Sequence, residues 1–479
     1  MLYSYVDLHC HPHLKPYGKS FAIERGKNSL NRKDKHSIWY YDSPNFFERV
    51  VQALCGICKF SQADCTTLAN GNVRVVCASL YPIERGFFNN ELGTGIVSDL
   101  AASFATSVGD ARVDYIQRVN NYFEDLIAEY NYYLQGEHKT TKTDSGKFKY
   151  VLAKDFSTVE KHLESDEKTI IIILTIEGMH VVHSDYKNPT LDKAIANVRE
   201  IKGWPHPPFF VTFAHHFNNH LCGHARSLFD IIGKHTNQSQ NMDAPILEMG
   251  KKVLKELLSR DTGRRILVDI KHMSAAARRQ YIQMVLDPNG EYAADQIPIV
   301  ISHGAANGLR SMDEKVVDLK ETGTTFMNED INFYDEEIVA LAKSKGIMGL
   351  QLDERRIADK ETIKRLKHSK WISKIRHYRS SLLWTQVQHI AELLDNHDLF
   401  AWDCLAIGSD YDGIIDPLNG YLTQETIVHL EEYMERHAFN YMQTRGKARL
   451  KPYNQLPADE VVQRLFHSNA ISFMRKHFW

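Results

Sequence analysis

The chain has 479 residues, of which 43% are hydrophobic and 25% are charged, and its formal net charge is −2. This is an ordinary globular composition, and the charge does not favour nucleic acid or an anionic membrane as the main partner. Seven cysteines without a dense framework favour a reducing compartment. No apolar stretch approaches the roughly 20 residues that span a bilayer, and the first residues read as a strand rather than a signal peptide. We therefore expect a cytoplasmic protein whose partners are neither nucleic acid nor membrane.

The first predicted strand ends in two histidines. Val6, Asp7 and Leu8 lead into His9 and His11, which are separated by one residue. Side chains alternate between the two faces of a strand, so both imidazoles point the same way. Two imidazoles on one face can bind one metal ion, although an unrelated pair of surface histidines has the same spacing.

The same pattern recurs along the chain: a short apolar run ends in His, Glu or Asp, although the run at 72–80 has no obvious ligand after it. Continuous apolar runs are typical of parallel strands that are buried on both faces. Helical patterns at 249–258, 335–344 and 383–394 precede three of the runs. Alternation of strand and helix predicts an α/β fold, a (β/α)8 TIM barrel, whose active site lies at the C-terminal ends of the strands. The eight runs are 6–9, 72–80, 169–176, 209–214, 265–271, 298–302, 346–351 and 404–409.

A bare barrel needs roughly 250 residues, so the remaining residues belong to long connections. We expect one domain over 1–479, with helical insertions at about 12–71, 84–168 and 354–381. Within the second insertion, 113–134 has a helical pattern, whereas the polar stretch 138–147 is predicted to be a mobile loop. The tail is predicted to end in helices over 458–478.

Six residues at strand ends have side chains that bind metals. Imidazole and carboxylate suit Zn2+, with Fe, Mn or Co as alternatives. Six such groups exceed the needs of one four-coordinate catalytic ion and fit two ions that share a carboxylate. Two ions can polarise a carbonyl and generate hydroxide from water, and a further carboxylate can carry the proton to a leaving amine. The six residues are His9, His11, Glu177, His272, His303 and Asp410.

Several of these stretches resemble motifs of the membrane (renal) dipeptidase family, zinc peptidases of the amidohydrolase superfamily. The sequence 174–178 (LTIEG) resembles the strand-3 motif of that family, and 268–274 (VDIKHMS) resembles its strand-5 "DLSHVS" motif. PIVISH at 298–303 and GSDYDG at 408–413 are similar to its strand-6 and strand-8 motifs. The sequence 212–218 (TFAHHFN) resembles its strand-4 motif "LTHxxN". Five pieces in the right order make the resemblance specific.

The resemblance implies a role for each residue. Glu177 would bridge two Zn2+ ions, with His9 and His11 on the first ion and His272 and His303 on the second. Asp410 would be the general acid/base and would also touch the first ion. His215 would bind a small substrate such as a dipeptide, with His216 less favoured, and the protein would be a homodimer.

The chain departs from the family pattern at two positions. The family opens with His-x-Asp, whereas this chain has His9-x-His11, so one anionic ligand is lost. The family also places a substrate-binding Arg where this chain has Ile331. Arg310 is the candidate for a replacement cation. The second departure puts dipeptide specificity in doubt more than hydrolysis.

Other interpretations remain open at this stage. One alternative is an amidohydrolase that acts on a different amide, and another is a non-catalytic barrel. A third is a phosphoesterase of the PHP type, because that family also opens with Asp-Leu-His-x-His. Asp412 competes with Asp410. The basic stretch 355–379 is a solvated helical face, a nucleic-acid patch or the source of a cation that reaches the active site. Cys55 and Cys58 are interpreted as buried thiols rather than a redox or zinc pair.

Overall fold

The computed structural model describes residues 3–44, 58, 60–88, 107–165, 167–228, 236–313, 325–366 and 371–479. Its strands are β1 Tyr5–Cys10, β2 Val73–Leu80, β3 Thr141–Thr143, β4 Gly146–Leu152, β5 Thr169–Glu177, β6 Phe210–Thr212, β7 Leu267–Asp269, β8 Val300–Gly304, β9 Ile347–Leu350 and β10 Leu405–Ile407. Its helices before β8 are α1 Leu14–Ser20, α2 Cys65–Asn70, α3 Asp110–Arg118, α4 Tyr122–Gly136, α5 Phe156–Leu163, α6 Leu191–Lys202, α7 Glu248–Leu258 and α8 Ala275–Leu286. The later helices are α9 Asp335–Lys343, α10 Glu354–Ile357, α11 Lys360–Leu366, α12 Ile372–Asn396, α13 Ile427–Gln443, α14 Arg445–Arg449, α15 Ala458–Gln463 and α16 Asn469–His477.

Eight parallel strands form the wall of a barrel in the order β1-β2-β5-β6-β7-β8-β9-β10. The wall closes where the segment after β10 meets β1. There the Asp410 amide donates to the His9 carbonyl at 2.8 Å, and the His11 amide donates to the Tyr411 carbonyl at 2.9 Å. The predicted (β/α)8 TIM barrel with helical insertions is confirmed, and each of the eight apolar runs overlaps one of these strands.

The strands are buried because helices cover the outside of the wall and side chains fill its inside. All nine residues of β5 are buried, including Glu177 at its end. β6, β7 and β10 are only three residues long. The residues that follow these short strands therefore have irregular backbone, which turns their side chains into the mouth of the barrel.

Two buried aspartates tie neighbouring strands together below the mouth. Asp269 at the end of β7 accepts hydrogen bonds from the Thr212 and Ser302 hydroxyls, both at 2.6 Å. Asp7 in β1 accepts from the Ser409 amide at 2.9 Å. These contacts fix the ends of β6, β7 and β8 on one side of the barrel and join β1 to the segment after β10 on the other.

The predicted helices are present with shifted boundaries. The patterns at 249–258 and 335–344 correspond to α7 and α9. The single pattern at 113–134 covers two helices, α3 and α4, because the Asn121 side chain caps a new helix by accepting from the Glu124 amide. The pattern at 383–394 is the second half of the 25-residue α12, which begins inside the basic stretch.

The mobile loop predicted at 138–147 is wrong. This segment forms β3 and the start of β4, an antiparallel hairpin whose second strand also pairs in parallel with the N-terminal part of β5. Gly146 adopts a φ of +123°, a conformation available to glycine, at the turn between the two strands. The polar residues that suggested a loop belong to a short strand with one exposed face.

The cysteines form no disulfides in the part of the chain that the structure describes. The six cysteines there are buried free thiols, and Cys55 lies outside it. None of the helices that the structure describes has the length and apolar character needed to cross a membrane.

Candidate metal centre

The six strand-end residues predicted to bind metal lie together at the C-terminal mouth of the barrel. His9 is in β1, Glu177 ends β5 and His303 is in β8, while the others directly follow β1, β7 and β10. Their exposed fractions range from 0% for His9 to 8% for Asp410. His272 and Asp410 have left-handed backbone, with φ of 65° and 60°, which turns each side chain away from the direction of its strand.

Glu177 lies at the centre of this cluster. Its Oε2 is 3.0 Å from Nε2 of His11. Its Oε1 is 3.5 Å from Nε2 of His9 and 3.4 Å from Nε2 of His215. The same Oε1 is 3.7 Å from Nε2 of His272 and 3.6 Å from Nε2 of His303. One carboxylate therefore faces five imidazoles from four different strand ends.

Asp410 faces the cluster from the opposite side. Its Oδ1 is 3.7 Å from Nε2 of His9 and 3.6 Å from Nε2 of His11. Its Oδ2 accepts a hydrogen bond from the Gln351 side-chain amide at 2.9 Å. The competing Asp412 instead accepts from the Gln62 and Ala63 amides and forms an ion pair with Lys15 at 2.7 Å. Asp412 therefore organises a loop, whereas Asp410 belongs to the cluster.

The donor atoms of these residues fit divalent cations. His9, Glu177 and His303 form one group whose donor atoms lie within 4.8 Å of one another, His9, His11 and Asp410 form a second, and His215, His216 and His272 form a third. Among the residues that the structure describes, neither ring nitrogen of His9 has a hydrogen-bond partner, and the same is true of Nε2 of His11. Buried polar atoms are rarely left unpaired, and a metal ion would satisfy them. Imidazole and carboxylate are ligands of several divalent metals.

The three groups divide the residues differently from the family pattern. That pattern places His303 with His272, and the structure does bring their Nε2 atoms within 3.3 Å. It also brings His303 close to His9, whose ring stacks on that of His303 at 4.0 Å between centroids. His303 therefore lies between the two sides of the cluster.

The electrostatics also favour cations at this place. Burial alone raises the pKa of Glu177, but positive charge on His215 and His9 holds it well below its usual value. Burial and neighbouring histidines lower the pKa of His272 and of His303, which keeps these rings in the neutral form that binds metals. Burial opposes charge on His11, yet the neighbouring carboxylates of Asp410 and Glu177 raise its pKa to about 10. The two carboxylates thus attract positive charge into the cluster.

A second layer of hydrogen bonds orients the imidazoles. Nδ1 of His11 is 3.1 Å from the Ser79 carbonyl oxygen, and Nδ1 of His303 is 2.9 Å from the Ser302 hydroxyl. A partner on Nδ1 fixes the ring and leaves Nε2 for the metal. Ser302 is itself held by Asp269, so the tie between the strands also orients a candidate ligand.

Glu84 is a functional candidate that the sequence reasoning missed. It follows β2, the strand for which no polar end was recognised, and it is buried. Its Oε2 is 2.9 Å from Nδ1 of His215 and accepts from the Tyr81 hydroxyl at 2.6 Å, while its Oε1 accepts from the His216 amide at 3.1 Å. Burial opposes its charge, but the charge on His215 lowers the pKa of Glu84 far below its usual value. Glu84 therefore directs Nε2 of His215 toward Glu177.

Replacing Glu84 with glutamine should weaken this positioning. The amide keeps the size of the side chain but supplies only one accepting oxygen for three donors. We expect kcat/KM to fall about 10- to 100-fold, the usual effect of losing such a supporting contact, with metal content retained. Steady-state kinetics with elemental analysis measure both quantities. Tyr81→Phe, which removes one donor to Glu84, should have a smaller effect, and an equal effect would contradict the positioning role.

His215 and His216 have different surroundings. His215 is held by Glu84 and points at Glu177, as expected for a residue that touches the reacting group. Nδ1 of His216 is 2.7 Å from the Ser227 hydroxyl. His216 also borders both cavities at the mouth, so it faces the route by which a ligand reaches His215.

The cluster opens into a narrow cavity of about 30 Å³, which Lys271, Gln351, Asp353 and Arg356 also line. Such a space holds one or two water-sized species. A second cavity of about 400 Å³ shares His216, Arg356 and Ile414 with the first, and it extends along α10 and α11. The two cavities therefore adjoin each other at these three residues.

Of the two sources of a cation proposed from the sequence, the basic stretch lies near the cavity and Arg310 does not. Arg310 is exposed and is not among the described residues that line either cavity. Arg356, from the basic stretch, lines both cavities. Lys271 is buried beside His272, and burial together with the charge of Arg356 lowers the pKa of Lys271 to about 7.

The fold and this cluster define a (β/α)8 barrel with a buried histidine and carboxylate centre of the kind that binds metals. No family model and no curated protein sequence matches the chain. Among solved structures, it is similar over its whole length to the dipeptidase AC, a metallopeptidase of family M19, with a TM-score of 0.56, 11% identity and 99% of that chain covered. It is also similar to a metallopeptidase from Rhodobacter sphaeroides in complex with a phosphinate mimic of the dipeptide L-Ala-D-Ala, with a TM-score of 0.51, 12% identity and 99% of that chain covered. At this identity the similarity establishes a shared fold.

Proposed function

We propose that this protein is a metal-dependent hydrolase that cleaves an amide bond in a small substrate, most plainly a dipeptide, in the manner of the membrane dipeptidase family. The observation that carries the proposal is the position of Glu177, which faces five imidazoles in a buried cluster at the mouth of the barrel. The two solved structures with the same fold support it, since one is a dipeptidase and the other is a metallopeptidase that binds a dipeptide mimic.

The proposed cofactor is a pair of Zn2+ ions, with Fe, Mn or Co as alternatives. His9, His11 and Glu177 would hold the first ion, and Glu177, His272 and His303 the second. Divalent ions in such a site supply Lewis-acid polarisation of a carbonyl and a lowered pKa for water. Because His11 stands where the family has Asp, the protein ligands carry one negative charge fewer.

The protein side chains around the ions supply proton transfer and orientation. Asp410 would accept a proton from the attacking water and deliver it to the leaving amine, because it faces the cluster and Gln351 fixes its Oδ2. His215, oriented by Glu84, would donate to the substrate carbonyl. The narrow cavity would keep bulk water from the reacting atoms.

The proposed function also bears on the partners of the protein and on its location. The substrate is the one partner that the site calls for, with no role for nucleic acid or a membrane. A homodimer and a cytoplasmic location follow from the family resemblance and the composition, and both are part of the proposal.

Hydrolysis of a dipeptide panel by the zinc-loaded protein tests this function. The panel pairs L- and D-residues at the C-terminal position, and p-nitrophenyl phosphate is measured beside it. We expect turnover of at least one dipeptide and none of the phosphate ester, because the proton acceptor Asp410 faces the place of a leaving amine. Turnover of the ester alone would replace the proposal with a phosphoesterase.

A further inference from the structure

A third cavity lies at the end of the barrel opposite the mouth. It has a volume of about 180 Å³ and is bordered by Leu267, the first residue of β7, and by Pro298, just before β8. His272 follows the other end of β7, and His303 lies near the other end of β8. A ligand in this cavity would therefore not contact the cluster around Glu177.

The side chains around this third cavity carry an excess of positive charge. Four of them are permanent cations and one is a carboxylate, Asp295, so the lining has a charge of +3 when histidine is neutral. Asp295 pairs with Arg265 at 2.6 Å, and Nε of Arg265 also donates to the Leu258 carbonyl at the end of α7. Arg265 therefore has a structural role. The excess charge belongs to the other three cations, Arg260, Arg264 and Lys476.

These three cations have few partners in the protein. Among the residues that the structure describes, none of the three has a carboxylate at ion-pair distance. The Arg260 guanidinium lies 4.5 Å from the centre of the Trp479 ring, and Arg264 donates to the Lys154 carbonyl. A guanidinium group has five N–H donors. Most of the donors of Arg260 and Arg264 are therefore available to a ligand.

Ordinary surface cations do not share this arrangement. Arg445 and Arg449 are also close together, but both pair with Glu392, at 3.2 and 2.9 Å. The carbonyl end of a helix favours a cation without any ligand, which accounts for Lys476 in the last turn of α16. That explanation does not extend to Arg264, which lies six residues beyond the end of α7. The unpaired charge around the cavity therefore calls for an anion.

His477 supplies a separate indication of a missing partner. It lines the cavity, and within the described part of the chain its buried Nε2 has no hydrogen-bond partner. Buried polar atoms are rarely left in this state. Burial and the charge of Lys476 lower the pKa of His477 to about 4, so the ring is neutral and an anion nearby would raise that pKa. An oxygen atom of a bound anion would satisfy Nε2.

We propose that this cavity binds the diphosphate group of a small molecule, in a site distinct from the one that carries the proposed function. Each phosphate group carries about 1.5 to 2 negative charges, so a diphosphate matches the charge of +3 more closely than a single phosphate does. Arginine side chains fit phosphate oxygens with two parallel hydrogen bonds. The cavity has the volume of about six water molecules, which suits a diphosphate group rather than a whole nucleotide. Its source is free pyrophosphate or a nucleoside diphosphate.

Calorimetry on the protein as purified tests the site with four probes: inorganic pyrophosphate, ADP, orthophosphate and sulfate. We expect the better of pyrophosphate and ADP to bind about 10-fold or more tightly than orthophosphate and sulfate, because a further charge-assisted contact is gained. Tighter binding of ADP than of pyrophosphate would identify a nucleoside diphosphate as the ligand. The reverse order would identify free pyrophosphate.

A pair of double variants locates the binding. Arg260→Gln with Lys476→Gln removes two exposed cations of the lining, so the fold and Tm should be preserved. We expect Kd for the better diphosphate probe to rise about 100-fold, the effect of losing two charge-assisted hydrogen bonds. Arg445→Gln with Arg449→Gln is the matched control, because it removes the same charge from a surface outside the lining. It should change Kd by less than about 2-fold, since distant charges are screened.

The inference fails if the wild type binds none of the four probes, or binds sulfate as tightly as the diphosphates. Equal increases of Kd in both double variants would show attraction to basic surface in general and would also contradict it. Binding that both double variants retain and that a metal chelator abolishes would assign the anion to the cluster around Glu177 instead. None of these results depends on whether the protein hydrolyses a dipeptide.

Discussion

Replacing Glu177 with glutamine is expected to remove at least one bound metal ion and to lower kcat/KM by about 1,000-fold or more, the effect of losing metal polarisation of a carbonyl. The carboxylate faces five imidazoles, with Oε2 near His11 and Oε1 near the other four. Glutamine has nearly the same shape but only one oxygen and no charge, so it cannot bridge two cations. Elemental analysis and steady-state kinetics on the same sample measure both effects.

Glu256→Gln is the control for this substitution. Glu256 pairs with Arg199 at 3.0 Å on the helical layer of the barrel and lines neither cavity at the mouth. Its substitution should leave metal content and kcat/KM unchanged. Two metal equivalents and near wild-type activity in Glu177→Gln would contradict the bridging role.

The second large effect is expected for Asp410→Asn. General acid–base catalysis contributes about 100- to 10,000-fold to rates, and we expect kcat to fall within this range while most of the metal stays bound. Asparagine tolerates the left-handed backbone at this position, with φ of 60°, so the fold should be preserved. Thermal denaturation and elemental analysis should show a folded protein that holds metal and turns over slowly.

Asp412→Asn is a closely matched control. Asp412 also has left-handed backbone, with φ of 64°, and it is buried two residues away. Its carboxylate pairs with Lys15, so the substitution should lower Tm and leave kcat of the folded protein unchanged. A larger loss of kcat in Asp412→Asn than in Asp410→Asn would reverse the assignment of the acid/base.

The barrel could be predicted because its strands are buried on both faces. The nine buried residues of β5 read as a continuous apolar run, and a polar residue at the end of such a run marks the mouth of the barrel. The hairpin of β3 and β4 could not be found this way. One side of this short ribbon is exposed, so Lys142 and Lys147 interrupt the apolar pattern.

The supporting residues of the site were harder to predict than its central residues. Glu84 acts through His215, which is 131 positions away in the sequence, and no local pattern indicates that contact. The one available signal was that a charged residue follows β2, as a histidine or an acid follows most of the other barrel strands. Lys271 was hidden for a related reason, since a lysine before His272 does not reveal that its ammonium group is buried under Ile331.

The central claim is that the cluster around Glu177 holds two divalent ions that activity requires. Metal content per chain, measured by elemental analysis before and after chelation and alongside dipeptide hydrolysis, tests it most directly. We expect close to two equivalents of zinc per chain, with hydrolysis lost on chelation and restored when two equivalents are added back. A chain that binds no divalent metal, and whose Tm is unchanged by zinc, would contradict the claim.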